Sequence, residues 1–340
     1  MKDTHFYKSN NVRKGKLIIS LDFELYWGMR DKKSLEEYKD NLLGARKAIP
    51  LLLKLFQKYN IHATWAVVGF LLFATRDNLL NNLPSIKTNY ENEKLKPYGH
   101  IKNIGYDEKM DPFHFAPSII KIIKSYPYQE IGTHTLSHYY CLEKGQNIQT
   151  FKEDLKVSIE IAKKYGIVFE SLVFPRNQIN NEYLDICKEM GIKALRGNQT
   201  NWIYKAQKEE NISNIIKGLR FIDRNFNISG HNSYSSDAIL ESFPFNLPAS
   251  RFLYWYSSKF KFLEYFRLKR ILSDISYAAK RGQVYHLWWH PHNFGLNTMK
   301  NLEFLEKILK HYKTLNLQYG MKSLNMGELA QQLIKRLRNE

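Results

Sequence analysis

The sequence predicts an α/β fold in which parallel strands close like a barrel and helices surround them. Three observations carry that reading. Short apolar runs alternate with stretches of helical period along the chain. Those runs are hydrophobic nearly throughout, as strands covered on both faces are. Polar, chemistry-bearing residues then fall just past the runs: Asp22 and Glu24, His134 and His138, Arg176, and His290. In a barrel-like parallel sheet such strand ends share one face, so residues distant in the chain meet there.

The first strand is residues 16–23 (KLIISLDF), and it delivers two carboxylates at its tip. Alternation points Asp22 and Glu24 the same way if the strand persists to residue 24. Residues 41–60 have helical period, with Pro50 kinking the helix or starting its second half. Residues 61–69 (IHATWAVVG) form the second strand, and this β-α-β order predicts a parallel pair with a right-handed crossover. His62 reads as structural. Residues 78–117 are polar and rich in Pro and Gly, an insertion loop that lines or covers a site; His100 and His114 within it read as surface residues.

A short helix over 118–125 leads to a strand at 128–133 that feeds the histidine pair. Gly132 permits a sharp exit, and two histidines four apart fit one side of a single helical turn, where both can bind one metal ion. Residues 148–165 are an amphipathic helix. Strand 168–174 ends in Pro175-Arg176-Asn177, helix 183–190 follows, and 191–195 (GIKAL) is again a strand. Residues 198–248 show only fragments of pattern and read as irregular. Residues 254–281 read as mostly helical, and 284–289 (VYHLWW) as a last buried strand ending in His290-Pro291-His292. A helix over 301–312, an edge strand over 320–324 and a basic helix over 327–338 complete the chain. No repeat or linker divides it, so 1–340 reads as a single domain.

The formal charge of +18 favours an anionic partner such as an acidic membrane surface, a phosphate-bearing substrate or nucleic acid. No nucleic-acid motif accompanies it, so specific nucleic-acid binding is not expected. Two cysteines make no disulfide scaffold and fit a reducing compartment. The polar lead lacks the apolar stretch of a secretory signal. The expectation is a cytoplasmic protein able to touch the inner membrane face.

Four segments together resemble the polysaccharide deacetylase superfamily, carbohydrate esterase family 4: Ser20-Leu21-Asp22-Phe23-Glu24, residues 61–69, residues 130–138 (EIGTHTLSH) and residues 287–290. The resemblance covers about residues 15–330. It implies a distorted (β/α)7 barrel and removal of an N-acyl group, acetyl or formyl, from an amino sugar. By the same resemblance Asp22 is the catalytic base and His290 the general acid. Glu24, His134 and His138 hold a divalent metal, Zn²⁺ foremost, and Arg176 orients Asp22. Tyr26, Trp27, Asn177, Trp289 and His292 are the candidate substrate contacts.

The chain departs from the family pattern in three places. The second acid is Glu24, one residue beyond the usual neighbour of the first, and Pro175 precedes Arg176 where the family has arginine before proline. His292 stands two residues past His290. The expected substrate is an amino-sugar glycan, or a lipid-linked or nucleotide-linked sugar used in building a surface polysaccharide. The alternatives are a metal-independent amidohydrolase of the same fold acting on a cyclic amide, and a non-catalytic homologue that binds a sugar or lipid phosphate.

Overall fold

The computed structural model describes residues 13–204 and 213–339. The polar lead through residue 12 and residues 205–212 of the irregular segment lie outside the described residues.

One sheet organises the fold. Its strands are β1 (Lys16–Phe23), β2 (Ala63–Val67), β3 (Gln129–Thr133), β4 (Ser171–Leu172), β5 (Ala194–Gly197), β6 (Phe245–Pro248), β7 (Arg251–Phe252), β8 (Val284–Trp289) and β9 (Lys322–Leu324). The spatial order is β6-β5-β4-β3-β2-β1-β8-β7, and β9 pairs with the start of β1. Every pairing among these strands is parallel.

The two ends of that order are joined covalently. β6 and β7 are separated only by Ala249 and Ser250, whose amides bond to the carbonyls of Gly197 on β5 and His286 on β8 at 2.9 and 2.8 Å. Residues 245–252 therefore act as one bent strand that leaves β5 and finishes on β8. Counted so, seven strands curl into the distorted (β/α)7 barrel that the sequence predicts, with β9 added beside β1.

Alternation along the strands sorts side chains into two populations. Leu17, Ile19, Leu21 and Phe23 of β1 and Tyr285, Leu287 and Trp289 of β8 face the surrounding helices in the main core. Ile18 of β1, Ala194 of β5, Leu247 of β6 and Val284 of β8 instead join a smaller cluster with Met326, Leu329, Ala330 and Leu333 of the last helix, Met326–Asn339. That helix closes the end where strands begin: the Met326 amide bonds to Thr64 and the Gly327 amide to Glu130. The opposite end stays free for chemistry.

Several elements differ from the sequence reading. The first helix runs continuously from Leu35 to Tyr59 with Pro50 inside it, and starts earlier than residue 41. Its first turns are polar and show no apolar period; the start is marked by the Ser34 hydroxyl accepting from the Glu37 amide at 3.3 Å. His114 is not a surface residue, and His100 is half-buried. His114 is buried, bonded to Asp111 and to His100, and both rings lie against Tyr26 and Trp27. The segment expected to be irregular contains a helix, Asn214–Asn225, and β6.

The loop after β8 is locked by contact between two backbones. A methyl group on Gly44 would lie 2.2 Å from the Gly295 carbonyl oxygen, and one on Gly295 would lie 2.1 Å from that of Asn41. Neither carbonyl can yield without moving its helix or loop. Gly44→Ala and Gly295→Ala should each cost about 1–3 kcal/mol of stability through overpacking. Gly99→Ala, where an added methyl meets nothing, should leave the denaturation midpoint in place. Chemical unfolding of the three variants measures this.

Candidate functional site

Asp22 and Glu24 lie side by side where β1 ends. The strand stops at Phe23, and Glu24 turns out of it with φ −123° and ψ −19°. The turn brings both carboxylates to one histidine: His290 Nε2 is 3.6 Å from Asp22 Oδ2 and 3.7 Å from Glu24 Oε1. Gly28 makes room for Glu24, since a Cβ there would sit 2.0 Å from the Glu24 carboxyl carbon.

The partner of Asp22 is Arg196, not Arg176. Arg196 projects inward from β5 and grips both Asp22 oxygens at 2.6 and 2.7 Å. It also donates to Ser20 Oγ at 3.2 Å and Asn177 Oδ1 at 3.0 Å, and stacks 4.0 Å over the Trp288 ring. Burial pushes the Asp22 carboxyl upward, but the Arg196 charge, with His134 and His290 behind it, holds it below its ordinary value. Arg176 lies on the other side of Asn177 in the chain, pairs with Asp31 and stacks on Tyr140.

The histidine pair does not sit on a helical turn. Residues 134–138 form a tight loop after β3 with Thr135 and His138 in left-handed conformations, φ 62° and 59°. Hydrogen bonds replace the missing helical ladder. Asp154 of helix Ile148–Lys164 accepts from the Leu136 amide at 2.7 Å and from the Ser137 hydroxyl, and Thr135 Oγ1 accepts from the Tyr139 amide at 2.7 Å. Burial raises the Asp154 carboxyl to about 7 even against those donors.

This loop aims both rings at Glu24. His134 Nδ1 donates to the Val173 carbonyl at 2.8 Å, so its Nε2 carries the lone pair. His138 Nδ1 faces the Tyr140 hydroxyl at 3.1 Å, and that hydroxyl donates to Asp31 at 3.3 Å, which leaves its oxygen to accept the imidazole proton. The His138 Nε2 is therefore also a lone pair, 3.0 Å from Glu24 Oε2; His134 Nε2 is 3.5 Å from the same oxygen.

These protonation states fit a bound cation. Burial lowers His138 to about 4 despite the Glu24 charge, keeping it neutral. Burial raises Glu24, but His290 foremost outweighs it and holds it well below the usual carboxylate range. One anionic oxygen and two imidazole lone pairs thus converge within 4.8 Å of one another. Without a positive charge between them they would repel. Two imidazole nitrogens and a carboxylate, each imidazole fixed by an outer partner, are a donor set for Zn²⁺ or a similar divalent ion.

The remaining predicted contacts separate clearly. His290 is partly exposed at the rim, edge-on to Trp288 at 5.6 Å and beside Phe252 at 5.8 Å. His292 is buried, stacked 4.9 Å from His290, with Nδ1 3.9 Å from Glu24; burial lowers it to about 3, so it stays neutral. Tyr26, Trp27 and Trp289 do not line the site. The Tyr26 hydroxyl bonds to the Lys33 carbonyl and the Trp27 indole to that of His114, while Trp289 is fully buried against Phe294. Strand alternation turns Trp289 outward and Trp288 inward, so Trp288 is the tryptophan at the site. Asn177 is occupied by Arg196.

Sequence reasoning missed Arg196, Asp154, Tyr140 and Asp31. Arg196 had a signal: a lone arginine at the tip of a buried strand, opposite unpaired acids. Asp154 had one too, as an acid on the apolar face of an amphipathic helix.

Removing one partner of a buried ion pair strands the other's charge. Arg196→Met should lose about 3 kcal/mol or more at neutral pH, and Asp22→Asn in the same chain should recover part of it. Because the folded Asp22 pKa is depressed, the pair's contribution is present above the ordinary carboxylate range and lost as pH falls through the lowered one. Denaturant unfolding of the four proteins of this cycle checks the coupling; additive losses would show there is none.

Residues 40–195 match the sequence model of the family described as polysaccharide deacetylase. That span holds His134 and His138 but not Asp22, Glu24, Arg196 or His290. No curated protein matches the chain by sequence. A Mycobacterium smegmatis protein named as a polysaccharide deacetylase superposes with TM-score 0.59 at 12% identity, over 95% of this chain and 92% of that one. An allantoinase superposes with TM-score 0.53 at 10% identity, over 97% and 96%. A 4-alpha-glucanotransferase from Thermococcus litoralis gives TM-score 0.53 at 9% identity, over 93% of this chain and 40% of the other. At such identities these likenesses are of fold. Residues 40–195 thus carry the sequence pattern of the polysaccharide deacetylase family, and the barrel around them is similar in fold to a protein of that name.

Proposed function

We propose that the protein is a divalent-metal-dependent hydrolase that removes an acetyl or formyl group from the nitrogen of an amino sugar. The observation that carries this reading is the convergence of five side chains at one mouth: ionised Asp22, the Glu24-His134-His138 donor set, and partly exposed His290. The family name supplies the sugar amide as substrate class.

A divalent ion held by Glu24, His134 and His138 would supply Lewis-acid polarisation of the amide carbonyl and of water. Asp22 does the proton work on the attacking side. Arg196 fixes its orientation and keeps it anionic, ready to take a proton from water as the new C–O bond forms. His290 serves the departing side. As the C–N bond breaks it gives a proton to the nitrogen, since an amide anion is a very poor leaving group. Trp288 and Phe252 restrict its ring, and Trp288 offers a flat, partly exposed surface to a sugar.

As part of the same proposal the sugar is carried on a lipid phosphate or a nucleotide, for which the +18 charge gives support. A cytoplasmic setting is supported by two buried, unbridged cysteines, Cys141 and Cys187. A second reading, a metal-independent amidohydrolase acting on a cyclic amide, draws on the allantoinase fold likeness.

Metal analysis and mass spectrometry of amino-sugar conjugates separate the two. The parent should purify with about one equivalent of zinc or take it up, and remove acetyl or formyl mass. His134→Ala and His138→Ala should lose the ion. Asp22→Asn and His290→Ala should keep it while kcat falls roughly 10²-fold or more. Full turnover by metal-free parent protein would instead establish the second reading.

A further inference from the structure

Large apolar side chains reach the surface unevenly. Many lie on helix Asn214–Asn225 and on residues 255–266, which approach each other in space. Phe262 is 69% exposed, Tyr265 65% and Ile215 75%. Ring contacts join the two segments into one ridge: Phe221 is 5.5 Å from Phe260, Phe226 is 5.2 Å from Phe266, and Phe266 is 5.5 Å from Tyr265. A contiguous aromatic surface of this kind marks a place where something docks.

The charge around the ridge says what docks. Lys217, Lys259 and Lys261 are exposed along the same two segments, and Lys269 is exposed just beyond the second. The acids of these segments among the described residues are paired with arginine: Asp223 is buried against Arg251 and Arg270, and Glu264 pairs with Arg267. Aromatic tips with this lysine fringe suit the interfacial zone of an anionic bilayer, where rings enter the headgroup layer and lysines meet lipid phosphates. A protein partner would more often present charges of both signs.

The ridge also borders the mouth of the site. Phe252 lies 5.8 Å from His290 and 4.8 Å from Tyr254, and Arg224 stacks on both Tyr254 and Phe221, at 4.6 and 4.5 Å. An unbroken run of side chains thus leads from the rim histidine to the exposed aromatics.

We propose that this ridge seats the protein on an anionic bilayer, with the mouth of the barrel beside the lipid surface. The inference does not depend on the deacylation reading. Joined to it, the two would make the substrate one presented at a membrane.

The test is sedimentation of the full chain with phosphatidylcholine vesicles, with and without phosphatidylglycerol, over a salt series. Binding should require phosphatidylglycerol and fade as salt rises past physiological strength. Lys259→Gln and Lys261→Gln should each weaken it roughly fivefold. Phe262→Ser with Tyr265→Ser should abolish it without changing the thermal unfolding midpoint, because both side chains are exposed. Leu317→Ser, an exposed residue at the end of helix Thr298–Tyr319, should bind as the parent does. Equal recovery with both vesicle types, or undiminished binding by the double serine variant, overturns the proposal. So does a concentration-dependent dimer that the double variant dissolves, since the ridge would then be a contact between two copies.

Discussion

A negative charge placed inside a closed barrel must be answered from within it, and the Asp22–Arg196 pair is that answer. Asp22 is on β1 and Arg196 on β5, so their two hydrogen bonds cross the barrel and fix two non-neighbouring strands relative to each other. The rest of the interior chemistry is set around Arg196. Its other donors hold Ser20 and Asn177, and its flat face covers Trp288, which borders His290. Ser20 in turn meets His286 at 2.9 Å, and burial keeps that imidazole neutral, near 3.

One guanidinium balances one carboxylate, and Glu24 remains. Its buried neighbours His138 and His292 are held neutral by desolvation. The charge excess is therefore local and negative, at the point where two imidazole lone pairs also converge. This is why the donor set suits a cation rather than an anionic group, and why Arg176, drawn off to Asp31, cannot substitute for Arg196. Through Asp31 and Tyr140 it acts instead on the far side of His138.

Much of this was legible because burial in a parallel sheet leaves a plain mark. KLIISLDF, IHATWAVVG and VYHLWW are largely apolar runs, the first and last leading into polar residues, and each contains a strand whose end faces the site or lies beside it. The histidine loop was legible as a pair but not in shape, since its geometry depends on Asp154, contributed by a helix that begins later in the chain. Residues 198–248 hid their order for a different reason. Their packing rests on ions: Asp223 and Asp274 are shared between Arg251 and Arg270. Along helix Asn214–Asn225 the apolar residues face outward and the buried positions are Asp223 and Asn225, so its period does not mark a core. Trp289 was misplaced by parity: it and Trp288 differ by one position, and one position decides which side of a strand faces in.

The central place of β1 has a consequence for how the protein is made. One edge of β1 pairs with β2, which follows about forty residues later, but the other waits for β8 at Val284–Trp289. At roughly 5–20 residues per second, synthesis leaves that edge open for many seconds after β1 emerges. For that time an eight-residue strand, buried from Leu17 to Phe23 once folded, offers unpaired backbone groups to any passing chain. The nascent chain is thus most prone to mispairing on its first strand, and the residues that relieve it are among the last to leave the ribosome.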